Sequence, residues 1–405
     1  MPRTLPLALA GGIAALIIVG SSAPAFAYPQ FQFSSGTTRC SQCHYSPAGG
    51  GLITSWGRDE SADTLSTFGG DGGFLHGAWT PPSWVALGAD VRIAGVRTDD
   101  GGQEAPQTAW FPMQTDLYSR FAFDDTWSLY LEAGVRGETR PASGFSDTAI
   151  GQINTDLATV GNRFITREHY LMWRPSATGP YARIGRFYAP YGLRFVEHIY
   201  YVRRFTGYNL YDETYTASGG YVDEDWELHV SVFTPPPAGA PDFFSSTGTR
   251  ESGGAAYYEL RLEKMAAVGA QVRLGHGTDH TRYQGGLVGK LWLDPAKLLF
   301  LGEADFARLQ ISAASAGVTQ FISYLGANWF PTRGLMATLA WERYQEDISL
   351  GKTGHNAYDV QANWFPWSHF ELVLLYRYQT VSAGLFGQND GPATLLLMGQ
   401  LHYYL

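Results

Sequence analysis

From position 84 onward the sequence is a series of short segments in which apolar and polar residues alternate, and nothing constrains the fold more. Successive strand residues point to opposite sides, so such a segment is apolar on one face and polar on the other. Sixteen can be read, at 84–96, 114–123, 127–138, 165–174, 179–189, 214–222, 226–234, 252–264, 266–279, 281–293, 298–311, 319–330, 334–347, 355–365, 369–381 and 392–405. Trp127-Ser128-Leu129-Tyr130-Leu131-Glu132-Ala133-Gly134-Val135-Arg136 shows the pattern plainly. No run in this region has the unbroken apolar length of a membrane helix. Aromatics are 15% of the chain, with 24 Tyr, 23 Phe and 12 Trp, glycines number 48 and charged residues are only 16%. An even count of alternating segments with that composition predicts an all-β fold, a transmembrane antiparallel β-barrel of about 16 strands. Its outside would face the lipid of the outer membrane and its inside would be polar.

The connections agree. Short turns follow even-numbered segments, as at Asp124-Asp125, Asp223-Glu224-Asp225, Asp294-Pro295, Pro331-Thr332-Arg333-Gly334 and Pro366-Trp367-Ser368. The longer connections 139–163 and 190–213 follow odd-numbered ones. Short turns belong on the periplasmic side, so the N- and C-termini are both predicted to lie there. Trp173, Trp292, Trp329 and Trp364 each precede a proline-containing turn. They are predicted to form an aromatic girdle at headgroup level on that rim. The last segment places Leu401, Tyr403 and Leu405 on one face and resembles the closing strand of outer-membrane proteins, with Leu where Phe is usual.

The first 27 residues read as an export signal: Arg3, an apolar run from Leu5 to Gly20, then Ala25-Phe26-Ala27 before a mature start near Tyr28. A retained membrane anchor is the other reading. Trp79-Thr80-Pro81-Pro82 breaks regular structure, which divides the chain into 1–27 signal peptide, 28–82, and 83–405 barrel. The net charge of −9 argues against a nucleic-acid partner.

Cys40-Ser41-Gln42-Cys43-His44 lies in the middle part. Two thiols at this spacing add across the two vinyl groups of one haem, and the histidine beside them ligates the iron, which is the c-type attachment signature. The chain has only these 2 cysteines. The bland alternatives are a lone disulfide-type pair or half of a zinc site without its second pair. Residues 28–82 are therefore predicted to be a monohaem cytochrome c segment with one covalent haem c, bound by Cys40 and Cys43, with His44 on the iron. About fifty residues cannot bury a haem alone, so the barrel is expected to supply the rest of the pocket, inside or just below its lumen.

The second iron ligand stays open. A methionine ligand would have to come from the barrel, at Met113, Met172, Met265, Met336 or Met398. Within the segment His76 is the candidate for the metal, with a polar loop histidine as its alternative reading. His169 and His198, preceded by Glu168 and Glu197, follow, and read first as lumen or loop residues; an open or water-bound position is the last option.

The stretch Gly185-Arg186-Phe187-Tyr188-Ala189-Pro190-Tyr191-Gly192-Leu193-Arg194 resembles the strand-to-loop segment of phosphate-selective-type porins, which implies a loop folded into the pore. Arg186, Arg194, Arg203 and Arg204 would then line an anion-attracting constriction, or pair with Glu197, Asp212 and Glu213 as a solvated loop network.

As a whole the chain resembles the fused cytochrome–porins of iron-oxidising bacteria, specifically at Cys40, Cys43 and His44 and more softly at Gly49-Gly50-Gly51-Leu52. The resemblance implies an electron-transfer protein of the outer membrane, in enzyme terms an extracellular Fe(II) oxidase. It would take electrons from an extracellular donor and pass them to a periplasmic carrier, a soluble cytochrome or copper protein. The hydrocarbon band is about 25 Å tall and insulates, so one haem serves such a route only from within the lumen. The competing reading is an anion or small-solute porin whose haem segment is a plug, sensor or docking module. A peroxidase-like centre is a third, and requires an open iron position with a distal acid–base group.

Overall fold

The computed structural model of the protein describes residues 28–101, 105–135, 164–209, 212–236, 251–278, 280–310, 317–351, 354–382 and 393–405. The predicted signal peptide and the connection at 139–163 lie outside the described residues. Sixteen strands close into one barrel: β1 Val85–Asp99, β2 Gln107–Ala122, β3 Trp127–Val135, β4 Phe164–Trp173, β5 Gly179–Phe187, β6 Thr214–Val222, β7 Trp226–Thr234, β8 Ser252–Leu262, β9 Ala266–His276, β10 Thr281–Leu293, β11 Leu298–Gln310, β12 Val318–Thr332, β13 Leu335–Gln345, β14 Gly354–Trp364, β15 Phe370–Ser382 and β16 Thr394–Tyr404. Each pairs antiparallel with its neighbours in sequence, and β16 pairs with β1 from Asp90↔Tyr404 to Asp99↔Leu395. Closure leaves no unpaired sheet edge.

Alternation sets what each side meets. Along β9, Ala267, Gln271 and Arg273 turn inward, whereas Val268, Val272 and Leu274 stand more than half exposed on the outside. The same parity puts Ile184, Val232, Leu287, Phe306, Leu339, Val360 and Leu374 outward, all around the barrel. A continuous apolar band of this kind is stable against lipid and not against water. Many of the inward residues are polar, and several are joined in ion pairs. Arg377 reaches Glu342 at 2.8 Å and Asp359 at 2.9 Å, and Arg273 and Arg282 share Glu251.

Three details depart from the sequence-based expectations. β2 begins at Gln107, well before position 114: Pro112 stays in the strand opposite Ile93, beside a bulge at Met113. Trp173, Trp329 and Trp364 keep outward parity, but Trp292 turns inward and meets Phe330 edge-on at 5.8 Å. It shares the parity of Val288 and Lys290, and the apolar surface it covers is inside the bore. Leu405 leaves the outward face of Leu401 and Tyr403, since the strand ends at Tyr404 and the last residue bends in, its N–H donating to Ala89 O at 2.8 Å.

The bore is filled from both ends. Residues 28–84 occupy the short-turn end with two helices, α1 (Cys40–Cys43) and α2 (Ser55–Glu60), the second running into a π-helical turn at Ser61–Leu65. This segment is tied to the short turns by Arg39–Glu224 at 2.7 Å, by Thr67 N–H to Phe365 O at 2.7 Å and by Ser368 N–H to Gly69 O at 3.1 Å. Deeper in, Gln32 donates to Glu259 at 2.9 Å and Tyr28 donates to Glu371 at 2.6 Å. From the long-loop end, residues 188–209 fold inward with a short helix, α3 (Tyr201–Arg204). The Leu193 N–H donates to Glu303 at 2.8 Å, and the Phe195, Tyr200 and Tyr324 rings pack at 4.5–5.1 Å. Phe33 of the N-terminal segment, Phe195 and Tyr200 of the loop and Tyr344 of the wall belong to one buried cluster.

Candidate functional site

Cys40 and Cys43 stand on the single turn of α1, and the chain then reverses. His44 pairs with Ile53 as an antiparallel bridge, with Tyr45 N–H to Leu52 O at 3.2 Å and Thr54 N–H to Cys43 O at 2.8 Å. Gly49, Gly50 and Gly51 make the reversal with φ of 83°, 85° and 61°, values that suit residues without a side chain. Thr54 caps α2 by accepting from Gly57 N–H at 3.1 Å. A Cβ at Gly57 would come within 2.6 Å of the Cys43 carbonyl, so α2 lies backbone-to-backbone against the cysteine turn.

Leu52 anchors this unit to the wall. Its side chain is buried among Tyr118, Tyr130, Tyr170, Met172 and Phe187, and its N–H donates to Tyr130 Oη at 3.3 Å. Between the unit and the wall is a cavity of about 990 Å³, counting its open mouth. Cys40, Cys43 and His44 line it from one side, together with Phe31, Ile53 and Leu65. Asp90 and Arg92 of β1, Tyr118 of β2, Phe365, and His402, Tyr404 and Leu405 at the chain end line it from the other.

The two cysteines carry free thiols. Burial pushes both up, Cys43 to about 12, so they are neutral at ordinary pH. Burial pushes His44 down to about 4, partly offset by the nearby Gly51 and Gly50 carbonyls, so its imidazole is neutral too. Its Nδ1 is buried without a well-formed hydrogen bond. Two neutral thiols and a neutral imidazole facing one largely apolar space fit a covalently held porphyrin, and among the described residues no cluster of three His, Cys, Asp or Glu forms a metal cage.

The other predicted ligands fall elsewhere. His76 does not line this cavity. It is exposed in a left-handed turn (φ 56°), edge-on to His369 at 4.7 Å and 3.2 Å from Tyr403 Oη. Its glycine-rich stretch, Gly72 to Gly77, runs along the outer rim of the short turns and not into the bore. Met172 and Met398 are buried in wall clusters, Met265 is exposed on a turn, and neither His169 nor His198 reaches the cavity. The histidine that shares the cavity with His44 is His402, whose Nε2 bonds Asp90 at 2.6 Å and Nδ1 bonds Glu371 at 2.8 Å. Sequence reasoning passed over His402 and Arg92. The parity of β1 and β16 marks both as inward, and that parity was the available signal.

The arginines of this region are engaged, and Arg186 of β5 and Arg203 of the inward loop are buried. Arg186 meets Glu213 at 3.6 Å, Arg194 meets Glu227 at 2.9 Å and not the nearer acids in sequence, and Arg203 caps the Phe195 and Val196 carbonyls. Arg204 lies over the Phe205 ring at 5.2 Å.

No family model and no curated protein matches the chain. Solved structures do match in fold. The outer-membrane protein OmpT of Vibrio cholerae aligns over 80% of this chain and 99% of its own, with a TM-score of 0.59 and 9% identity. An anion-selective porin from Comamonas acidovorans aligns over 79% and 99%, with a TM-score of 0.54 and 10% identity. OprB of Pseudomonas putida aligns over 79% and 94%, with a TM-score of 0.55 and 9% identity. The fold is that of an outer-membrane porin: a closed antiparallel barrel of 16 strands.

Proposed function

We propose that this protein resides in the outer membrane with its short-turn end in the periplasm, and that it carries electrons across the membrane through one covalent haem c held in the cavity. The observation that carries the reading is the convergence of Cys40, Cys43 and His44 on one apolar-walled space inside the barrel. Cys40 and Cys43 would hold the porphyrin by thioethers and His44 would ligate the iron; the haem supplies one-electron redox chemistry. The chain's own residues insulate and position. The strands keep lipid away, Leu52 and Gln32 dock the segment, and Tyr28, Phe31 and Phe365 exclude water from the cavity. Beyond the cavity the inward loop packs the lumen with side chains, a better medium for tunnelling than open water. The external donor in this reading is ferrous iron and the acceptor a soluble periplasmic carrier, both taken from the resemblance to cytochrome–porins.

The porin likeness favours a second reading, a channel for small solutes with residues 28–84 as its plug. Proteoliposomes separate the two. Reduction of a trapped acceptor by an external donor, lost with Cys40→Ala/Cys43→Ala and without solute leakage, supports the conduit. Solute flux that is equal with and without the cysteines, and no transmembrane reduction, overturns it.

A further inference from the structure

Among the arginines that face the lumen, Arg92 stands near carboxylates yet bonds none of them. It sits on β1 at the cavity wall, 5% exposed, with Nε buried and no hydrogen bond or ion pair to any described residue. Arg167 has Glu213, Arg194 and Arg261 share Glu227, and Arg377 has Glu342 and Asp359. The carboxylates near Arg92, Asp90 and Glu371, give it charge but no hydrogen bond, and their own bonds go elsewhere. Asp90 takes His402 at 2.6 Å and Tyr118 at 2.7 Å, one on each oxygen. Glu371 takes Asn363 on one oxygen at 2.6 Å, and Tyr28 and His402 on the other at 2.6 and 2.8 Å.

The backbone is shaped at the same point. Arg92 pairs with Gln114 and Ile93 with Pro112, so Met113 is the extra residue of a bulge that begins at Arg92. Bulges re-aim side chains and gather beside functional sites. A buried guanidinium whose N–H donors go unmet is costly even beside the charges of Asp90 and Glu371, and its planar donors match a carboxylate. A buried arginine on the cavity wall with unmet donors therefore calls for an acceptor in that space, and a carboxylate suits it.

We propose that Arg92 is the anion-holding residue of the cavity, and that its partner is a propionate carboxylate of the covalently bound porphyrin. This rests on the haem reading of the site and adds a residue outside the attachment motif. Arg92 positions the porphyrin edge opposite the thioether side and sets the iron potential through its charge. A positive charge there opposes the extra positive charge of ferric iron, so it raises the reduction potential.

The test uses the full-length, haem-loaded protein with Arg92→Gln and Arg92→Lys. Pyridine haemochrome counts covalent haem, spectroelectrochemical titration gives the midpoint potential, and resonance Raman reports the propionate bending modes. One haem per chain in all three is expected, with a negative midpoint shift and moved propionate modes in Arg92→Gln. Arg92→Lys should recover most of the potential but not the bidentate Raman signature. An Arg92→Gln protein with wild-type midpoint and propionate modes overturns the proposal alone, whereas wild-type protein without covalent haem overturns the site reading beneath it. Should Arg92→Gln fail to fold, Arg92→Lys decides by the Raman modes, and unchanged modes overturn the proposal. Inorganic phosphate is titrated into the loaded wild type as a further arm. No binding is expected, and binding that Arg92→Lys weakens would assign the arginine to a diffusible anion instead.

Discussion

Leu52→Ala tests how the N-terminal segment is held in the bore. The Leu52 side chain is 1% exposed and packs against Tyr118, Tyr130, Tyr170, Met172 and Phe187 of the wall. Removing a leucine from such a setting costs about 2–5 kcal/mol, the transfer of the lost atoms plus the hole they leave. The barrel strands keep their hydrogen bonds, so the loss falls on docking. At about 1.4 kcal/mol per tenfold, the ratio of docked to undocked segment should fall by about 30- to 4,000-fold. Hydrogen exchange on the detergent-folded protein reads this directly. The amides of Tyr45, Thr54 and Arg58, bonded to Leu52 O, Cys43 O and Thr54 O, should lose protection by that factor while amides in β10 to β12 hold theirs. Unchanged protection at Tyr45 and Thr54, or an equal loss in the barrel strands, would refute the idea that Leu52 docks a separable segment.

Arg377→Gln leaves Glu342 and Asp359 buried without their shared cation, which should cost about 3–5 kcal/mol and lower the temperature of heat-modified gel migration; an unshifted transition contradicts the assigned pairing. The inward loop should be docked best in mild acid. Burial raises Glu197 to about 7 and lowers His198 to about 3, the latter helped by Arg203 and Arg204. The raised carboxyl gives stability present below its unfolded value and lost as pH rises through 7. The depressed imidazole gives stability present above its unfolded value and lost as pH falls towards 3. Protection of the Arg203 and Phe205 amides, corrected for intrinsic exchange, should thus plateau between about pH 4.5 and 6.5. Glu197→Gln should abolish the loss on the alkaline side, and a variant that keeps that loss would show another group responsible.

The barrel was legible because period-two alternation is imposed by lipid on one side and water on the other, and no loop chemistry interferes with it. What failed were residues whose direction is set by contents of the bore. Trp292 reads as a rim tryptophan, yet Phe330 and the docked segment give it an apolar partner inside. The segment expected to start at 114 runs back to Gln107, because Pro112 stays in β2 opposite Ile93 beside the bulge at Met113. The motif Cys40 to His44 was plain, whereas the opposite wall of its cavity was not. Arg92 and His402 are separated by most of the chain and meet because β1 closes on β16, where they are paired residues. His76 was chosen for its nearness in sequence, which a glycine-rich loop does not convert into nearness in space.

The most direct measurement is the absorption spectrum of the exported, full-length protein with its covalent haem counted after denaturation and solvent extraction. The account predicts a Soret band and one haem per chain that resists extraction, both lost in Cys40→Ala/Cys43→Ala while the barrel still folds. A folded barrel with intact cysteines and no covalent haem would contradict it.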